Sequence, residues 1–248
     1  WQREFHELPY FFSASEIEEI NVIRSSSALL KGISEMAGII DIVPKQYNQQ
    51  EWRGRIEYGT FNSLRTHLAH GNDLGEVSYA IGLERRETDG PEGRNAAETM
   101  HNVHGGVQWN PADELSLNLH FFHLDGSREL AKAQEPAGNR FINRREAFDP
   151  YRASLVTFQG KYTPSSRAST ELSLSYADRN PTYNRFEPSE MSVTTNDQEM
   201  TLNLIQSVNL TNNNTLRIGG LYNHWLAPNG KRFYVGSKNE LSTYSAVL

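Results

Sequence analysis

Glu18-Glu19-Ile20-Asn21-Val22-Ile23-Arg24, then Ser25-Ser26-Ser27-Ala28-Leu29-Leu30-Lys31-Gly32, then Ala37-Gly38-Ile39-Ile40-Asp41-Ile42-Val43-Pro44-Lys45 is the stretch on which the fold turns. Residues 19–24 and 38–43 are short apolar runs rich in β-branched side chains, and so read as strands. Between them lies a small-residue turn with one short helical turn, where Gly32 and Gly38 suit close reversals. Pro44 ends the second strand.

From residue 51 onward the apolar period is two. Trp52, Ile56 and Tyr58 alternate with Arg53, Arg55 and Glu57. Val77, Tyr79, Ile81 and Leu83 alternate with Ser78, Ala80, Gly82 and Glu84, and Leu115, Leu117, Leu119 and Phe121 with Ser116, Asn118 and His120. The same pattern returns at Leu172–Tyr176, Met200–Leu204 and Leu216–Tyr222. Strict alternation gives each strand one apolar and one polar face, whereas a helix would scatter these residues around its axis. About ten strands are expected between residues 51 and 248.

The connections alternate as well. Short turns are predicted at Asn72–Gly75, Asn110–Asp113, Pro164–Arg167 and Thr211–Asn214, with a tight reversal at Gly59–Ser63. Longer polar loops fall at roughly 88–97, 126–149, 180–195 and 228–239. Short turns on one side and long loops on the other are the habit of outer-membrane barrels. Trp109 before Asn110-Pro111 and Tyr162 before Thr163-Pro164 sit where such a barrel carries its aromatic girdle.

No run approaches the length of a membrane helix, and the mean hydropathy is −0.63. That leaves a membrane β-barrel open, because only every second strand residue faces lipid. The net charge of −6, with no basic cluster, argues against a nucleic-acid partner. With no cysteine, the chain has neither disulfides nor thiolate metal sites. It starts at Trp1 without a signal peptide and ends within an apolar run, so it reads as an internal fragment.

The opening stretch resembles the end of the plug domain of the TonB-dependent outer-membrane receptors. Ile17, Glu18, Ile20, Val22, Ile23, Arg24, Ser27, Ala28, Leu29, Gly32, Gly38, Ile40, Ile42 and Lys45 carry the resemblance at the family's spacing. Ser25-Ser26 stands where the family has Gly-Pro, and Lys31 where it has an aromatic; both departures fall in the turn.

The resemblance implies an all-β membrane protein: an antiparallel transmembrane β-barrel, incomplete here, with part of a luminal α/β plug domain. Residues 1–46 would be the C-terminal part of the plug, residues 51–248 the N-terminal half of a barrel of about 22 strands, and 46–50 the link. Half a barrel leaves two unpaired edges and an apolar outer face, so the fragment is expected to be unstable by itself. The resemblance further implies energy-coupled uptake of a scarce solute, with an iron–siderophore complex first and haem, cobalamin or oligosaccharide behind. The partners would be TonB, through a segment absent here, together with outer-membrane lipid and an extracellular small-molecule ligand.

Arg24 is the implied plug–barrel contact, seeking carboxylates on the wall, with Ser25, Ser26, Ser27, Gly32 and Gly38 forming the plug turn. The loop at 126–149, with Arg128, Arg140, Arg144 and Arg145, is the expected extracellular ligand loop. Leu8-Pro9-Tyr10-Phe11-Phe12 reads as plug core. Glu84-Arg85-Arg86-Glu87 reads as a solvated strand end or headgroup contact.

No enzyme motif is present: no phosphate-binding Gly-Lys-Ser/Thr loop, no Gly-x-Ser-x-Gly and no His-Glu-x-x-His. His67/His70, His101/His104 and His120/His123 are spaced by three, which on a strand puts the two rings on opposite faces and rules out chelation within a pair. No cofactor and no metal site are expected. The competing readings are an uncoupled porin-like or adhesin-type barrel, an outer-membrane enzyme and a soluble β-sandwich; the first lacks a plug, and the second needs a nucleophile or acid pair that the sequence does not offer.

Overall fold

The computed structural model describes residues 16–23, 39–132, 145–211, 213–227 and 240–247. β1 (Ile17–Ile23) and β2 (Ile39–Pro44) form an antiparallel pair with Ile20 opposite Ile42 and Val22 opposite Ile40. These are the two expected short strands. The helical turn and the aromatic trio lie outside the described residues.

The rest is one antiparallel sheet. Ten strands follow one another across it: β3 (Glu51–Gly59), β4 (Ser63–Asp73), β5 (Val77–Thr88), β6 (Glu98–Ala112), β7 (Leu115–Leu130), β9 (Ala153–Ser165), β10 (Ala168–Arg179), β13 (Asp197–Thr211), β14 (Asn214–Leu226) and β15 (Glu240–Val247). Among the described residues β3 and β15 are its two edges, so the barrel is unclosed.

Pairing the period-two strands in register turns local alternation into two continuous surfaces. Tyr79, Val107, Leu119, Phe158, Leu174, Leu202, Tyr222 and Tyr244 lie side by side across eight strands. One residue away along each strand run Ser78, Gln108, Asn118, Gln159, Ser173, Asn203, Leu221 and Ser245, on the opposite face. The apolar row is largely uncovered, with Leu119 47% and Tyr244 76% exposed. In water such a surface would drive association; facing hydrocarbon, it is the lipid side of a transmembrane barrel. The polar row faces inward, towards β1–β2.

Two of the predicted long loops carry strands of their own. β7 runs on to Leu130, so 126–149 is not loop throughout, and β8 (Arg145–Phe148) pairs with its end. The 180–195 segment forms β11 (Thr182–Glu187) and β12 (Met191–Thr194), with β11 paired to both β8 and β12. These strands are only four to six residues long, too short for an apolar period to mark them in the sequence, while backbone pairing continues. Under this layer Met100, Phe122, Leu124, Tyr151 and Ala153 form a buried apolar cluster on the inner face.

Candidate functional site

The β1–β2 pair meets the inner face through residues that bracket it. Lys45 N–H donates to the Glu16 carbonyl at 2.9 Å, which closes the hairpin's base. Across that base the Tyr47 hydroxyl donates to Glu16 Oε2 at 2.6 Å. The Tyr47 ring lies on Gly71 of β4, where an added Cβ would stand 2.3 Å from Tyr47 Cγ; only a residue without a side chain permits that approach. The Arg53 guanidinium covers the ring at 4.7 Å from its centroid. Burial, and then the bond to Glu16, push the Tyr47 phenol above the ordinary tyrosine range, so it remains a donor at any physiological pH. Gln46 Nε2 donates to Gln108 Oε1 of β6 at 3.2 Å.

Glu16 is buried, and its second oxygen, Oε1, has no hydrogen-bond partner among the described residues. Tyr47→Phe therefore removes a donor from a carboxylate that cannot turn to water. The expected cost is about 1–3 kcal/mol of seating free energy. Faster amide exchange in β1–β2 of the full-length protein would register it; unchanged exchange would show that the bond contributes nothing.

Behind Glu16 the wall carries a chain of charges. His67 Nε2 of β4 lies 3.8 Å from Glu16 Oε1. His67 is directly opposite Glu84 of β5, whose Oε2 accepts from Arg65 Nη2 at 2.8 Å. The Glu84 side chain is 1% exposed, so the reading of 84–87 as a solvated strand end fails there. The run splits by alternation instead. Glu84 and Arg86 point inward, Arg86 3.5 Å from Glu98, while Arg85 and Glu87 pair with each other outside.

The three histidine pairs divide between the faces as their spacing requires. His70 packs on Trp52 outside, with ring centroids 4.2 Å apart, and His123 bonds Ser154. His67 and His104 meet inside. Among the described residues no group of three or more histidine or acidic side chains is placed to hold a metal ion.

A cavity of about 630 Å³ separates Glu16 and Ile42–Tyr47 from the wall, where His104, His120, Gln108, Asn118 and Gln159 line it. Farther along the inner face a second polar network links Arg179 to Glu199 at 3.2 Å and Trp225 Nε1 to Asp197 Oδ1 at 3.2 Å.

Of the predicted site residues, Arg24, Ser25, Ser26, Ser27, Gly32, Gly38, Arg140 and Arg144 lie outside the described residues. Arg128 ends β7 and stands 3.7 Å from Glu98. Arg145 opens β8 with its guanidinium 5.4 Å from the Phe186 ring centroid of β11. Sequence reasoning missed Glu16, Gln46 and Tyr47. A lone tyrosine in a polar link, followed by alternating strands, gives no local sign of the glycine it will meet 24 residues later.

No protein-family model and no curated protein sequence matches the chain. Solved structures do. The siderophore receptor PiuA from Acinetobacter baumannii superposes with a TM-score of 0.67 at 12% identity, over 85% of this chain and 35% of that one. The ferripyoverdine receptor of the outer membrane of Pseudomonas aeruginosa gives 0.65 at 10% identity, over 90% and 34%. A ferric enterobactin receptor from the same organism gives 0.61 at 15%, over 95% and 41%. The chain thus spans about a third to two-fifths of the length of these receptors. By these superpositions the chain has the fold of the TonB-dependent outer-membrane receptors.

Proposed function

We propose that the whole protein takes up a scarce solute across the outer membrane, with a ferric siderophore as the solute and TonB supplying the energy. Residues 1–46 are then the last part of the plug and residues 51–248 the first half of the barrel. The reading is carried by one observation: a small separate sheet seated on the barrel's inner face by Glu16, Gln46 and Tyr47. A passive pore has no use for such a stopper, and an energy-coupled receptor needs one that can be displaced. Displacement by ligand binding plus an external pull is a population shift, with no bond chemistry. The structural relatives named as siderophore receptors support the choice of solute.

The ligand would meet the protein at the long-loop end, where β8, β11 and β12 hold Arg145 beside Phe186 and Tyr183 beside Glu146. A basic group stacked on an aromatic suits an anionic, partly aromatic chelate. The test is growth of a deletion strain, with the full-length gene restored, on single ferric siderophores as sole iron source. Growth on one of them, lost when the proton gradient is collapsed, is the expected result. Absence of any iron-source dependence, or uptake indifferent to the gradient, overturns the reading.

A further inference from the structure

On the outer face of β3 stands a glycine that nothing in the described chain accounts for. Gly54 sits between the outward Trp52 and Ile56 and pairs with Leu68 in unbroken register, so it marks no bulge. Its φ is not positive, and a Cβ there would meet nothing within 4 Å among the described residues. Inside the wall, by contrast, Gly71, Gly82 and Gly106 each make room for a ring. A strand-interior glycine gives up side-chain packing. Where it serves neither a bulge nor a neighbour of its own chain, it marks the close approach of a ligand. The hollow at Gly54 extends across the neighbouring strands as a groove of about 750 Å³ lined by Ile56, Thr66, Leu68, Leu83 and Arg85.

Two adjacent register rows fix the groove's level in the membrane. Gly54, Leu68, Leu83 and Val103 form one; Ile56, Thr66, Arg85, His101 and Asp125 form the next, towards the long-loop end. Between them the outer face passes from apolar to charged, as a barrel wall does where hydrocarbon gives way to headgroups. β5 ends at Thr88, close above Arg85, and the long 88–97 connection follows, which places this boundary in the outer leaflet. Arg85 is half exposed; its Nη2 donates to Glu87 Oε2 at 2.7 Å, and the other guanidinium N–H groups can serve a second acceptor. The exposed His101 lies opposite Arg85 and offers an N–H in either tautomer. Asp125, beyond it, is held by Arg152 at 3.0 Å.

We propose that this groove is a binding site for a lipid A-type molecule of the outer leaflet, a phosphorylated and multiply acylated sugar lipid. One acyl chain lies over Gly54, between Ile56 and Leu83, and a phosphate meets Arg85 and His101. The two halves of the site select the occupant together. Free phosphate would use the donors and leave the apolar groove empty, and a bare hydrocarbon chain would do the reverse. A soluble protein would have to enter the bilayer to reach Gly54. The exposed pair with Glu87 holds the guanidinium only weakly, so a doubly ionised phosphate competes for it with advantage.

The test is lipid retention by the full-length protein, delipidated and then mixed in detergent with equal amounts of bis-phosphorylated lipid A and phosphatidylglycerol, read by native mass spectrometry. The wild-type protein is expected to keep lipid A in preference to phosphatidylglycerol. Gly54→Phe fills the groove, and Arg85→Gln removes the charged donor. Each is expected to weaken lipid A binding about tenfold. Leu202→Phe, elsewhere on the outer face, is expected to behave as wild type. Equal retention of the two lipids, or undiminished retention in either variant, overturns the proposal. Should Gly54→Phe fail to fold, Arg85→Gln decides: a tenfold loss supports the site and full retention sinks it. The measurement needs neither solute nor energy coupling, so its outcome is independent of the uptake reading.

Discussion

Gly71→Val is expected to unseat β1–β2 while leaving the barrel intact. A Cβ at residue 71 would lie 2.3 Å from Tyr47 Cγ and 2.8 Å from Tyr47 Cβ. A χ1 change could swing Cγ away but leaves Cβ where it is, under 3 Å, so the backbone of the link must move. Tyr47 is 3% exposed, and its displacement also breaks the bond to Glu16 and the stacking under Arg53. Overpacking together with a stranded carboxylate should cost the seat about 2–4 kcal/mol. Exchange in β1–β2 should rise accordingly, with thermal unfolding of the barrel little changed. Gly54→Val is the control, because on the outer face a Cβ at that glycine meets nothing within 4 Å. If Gly71→Val and Gly54→Val behave alike, Tyr47 does not hold the hairpin.

Arg65→Met should have the opposite distribution, weakening the wall itself. Glu84 Oε2 accepts from Arg65 at 2.8 Å, and its Oε1 has no hydrogen-bond partner among the described residues. Removing the guanidinium leaves an almost fully buried carboxylate without its counter-ion, a loss of about 3–5 kcal/mol. Replacing the carboxylate as well, in Arg65→Met/Glu84→Gln, should recover most of that loss, because it removes the orphaned charge. The measurement is a double-mutant cycle on thermal unfolding of the detergent-solubilised full-length protein. A double variant no more stable than Arg65→Met would show that Glu84 is not the source of the cost.

The barrel strands were legible because lipid on one side and a polar interior on the other impose a period of two, and the residues from Trp52 to Tyr244 keep it. Legibility ended where that contrast ended. At Phe121-Phe122 both faces turn apolar, since Phe122 joins Met100 and Leu124 in the inner cluster. Past Leu124 the elements are short: β8 and β11 carry no apolar alternation, and the four residues of β12 are too few to show one. The site was harder to read than the fold. Its residues come from six strands and two flanks of a hairpin, and only the pairing register brings Glu84 opposite His67. Ionic side chains one strand apart are 17 residues apart in sequence here, so local composition described Glu84 as a solvated end.

Among the described residues no strand of the barrel sheet pairs with β1 or β2, and their ladder is a sheet of its own. The two bodies therefore share a surface of side chains without a common backbone register. Sliding the hairpin one residue along the wall would break no ladder; it would only mismatch Tyr47 with its glycine and Gln46 with its amide. Among the described residues, the fit between the hairpin and the wall thus rests on individual side-chain positions such as Tyr47 on Gly71 and Gln46 on Gln108, so either body can change elsewhere without disturbing the other's backbone pairing.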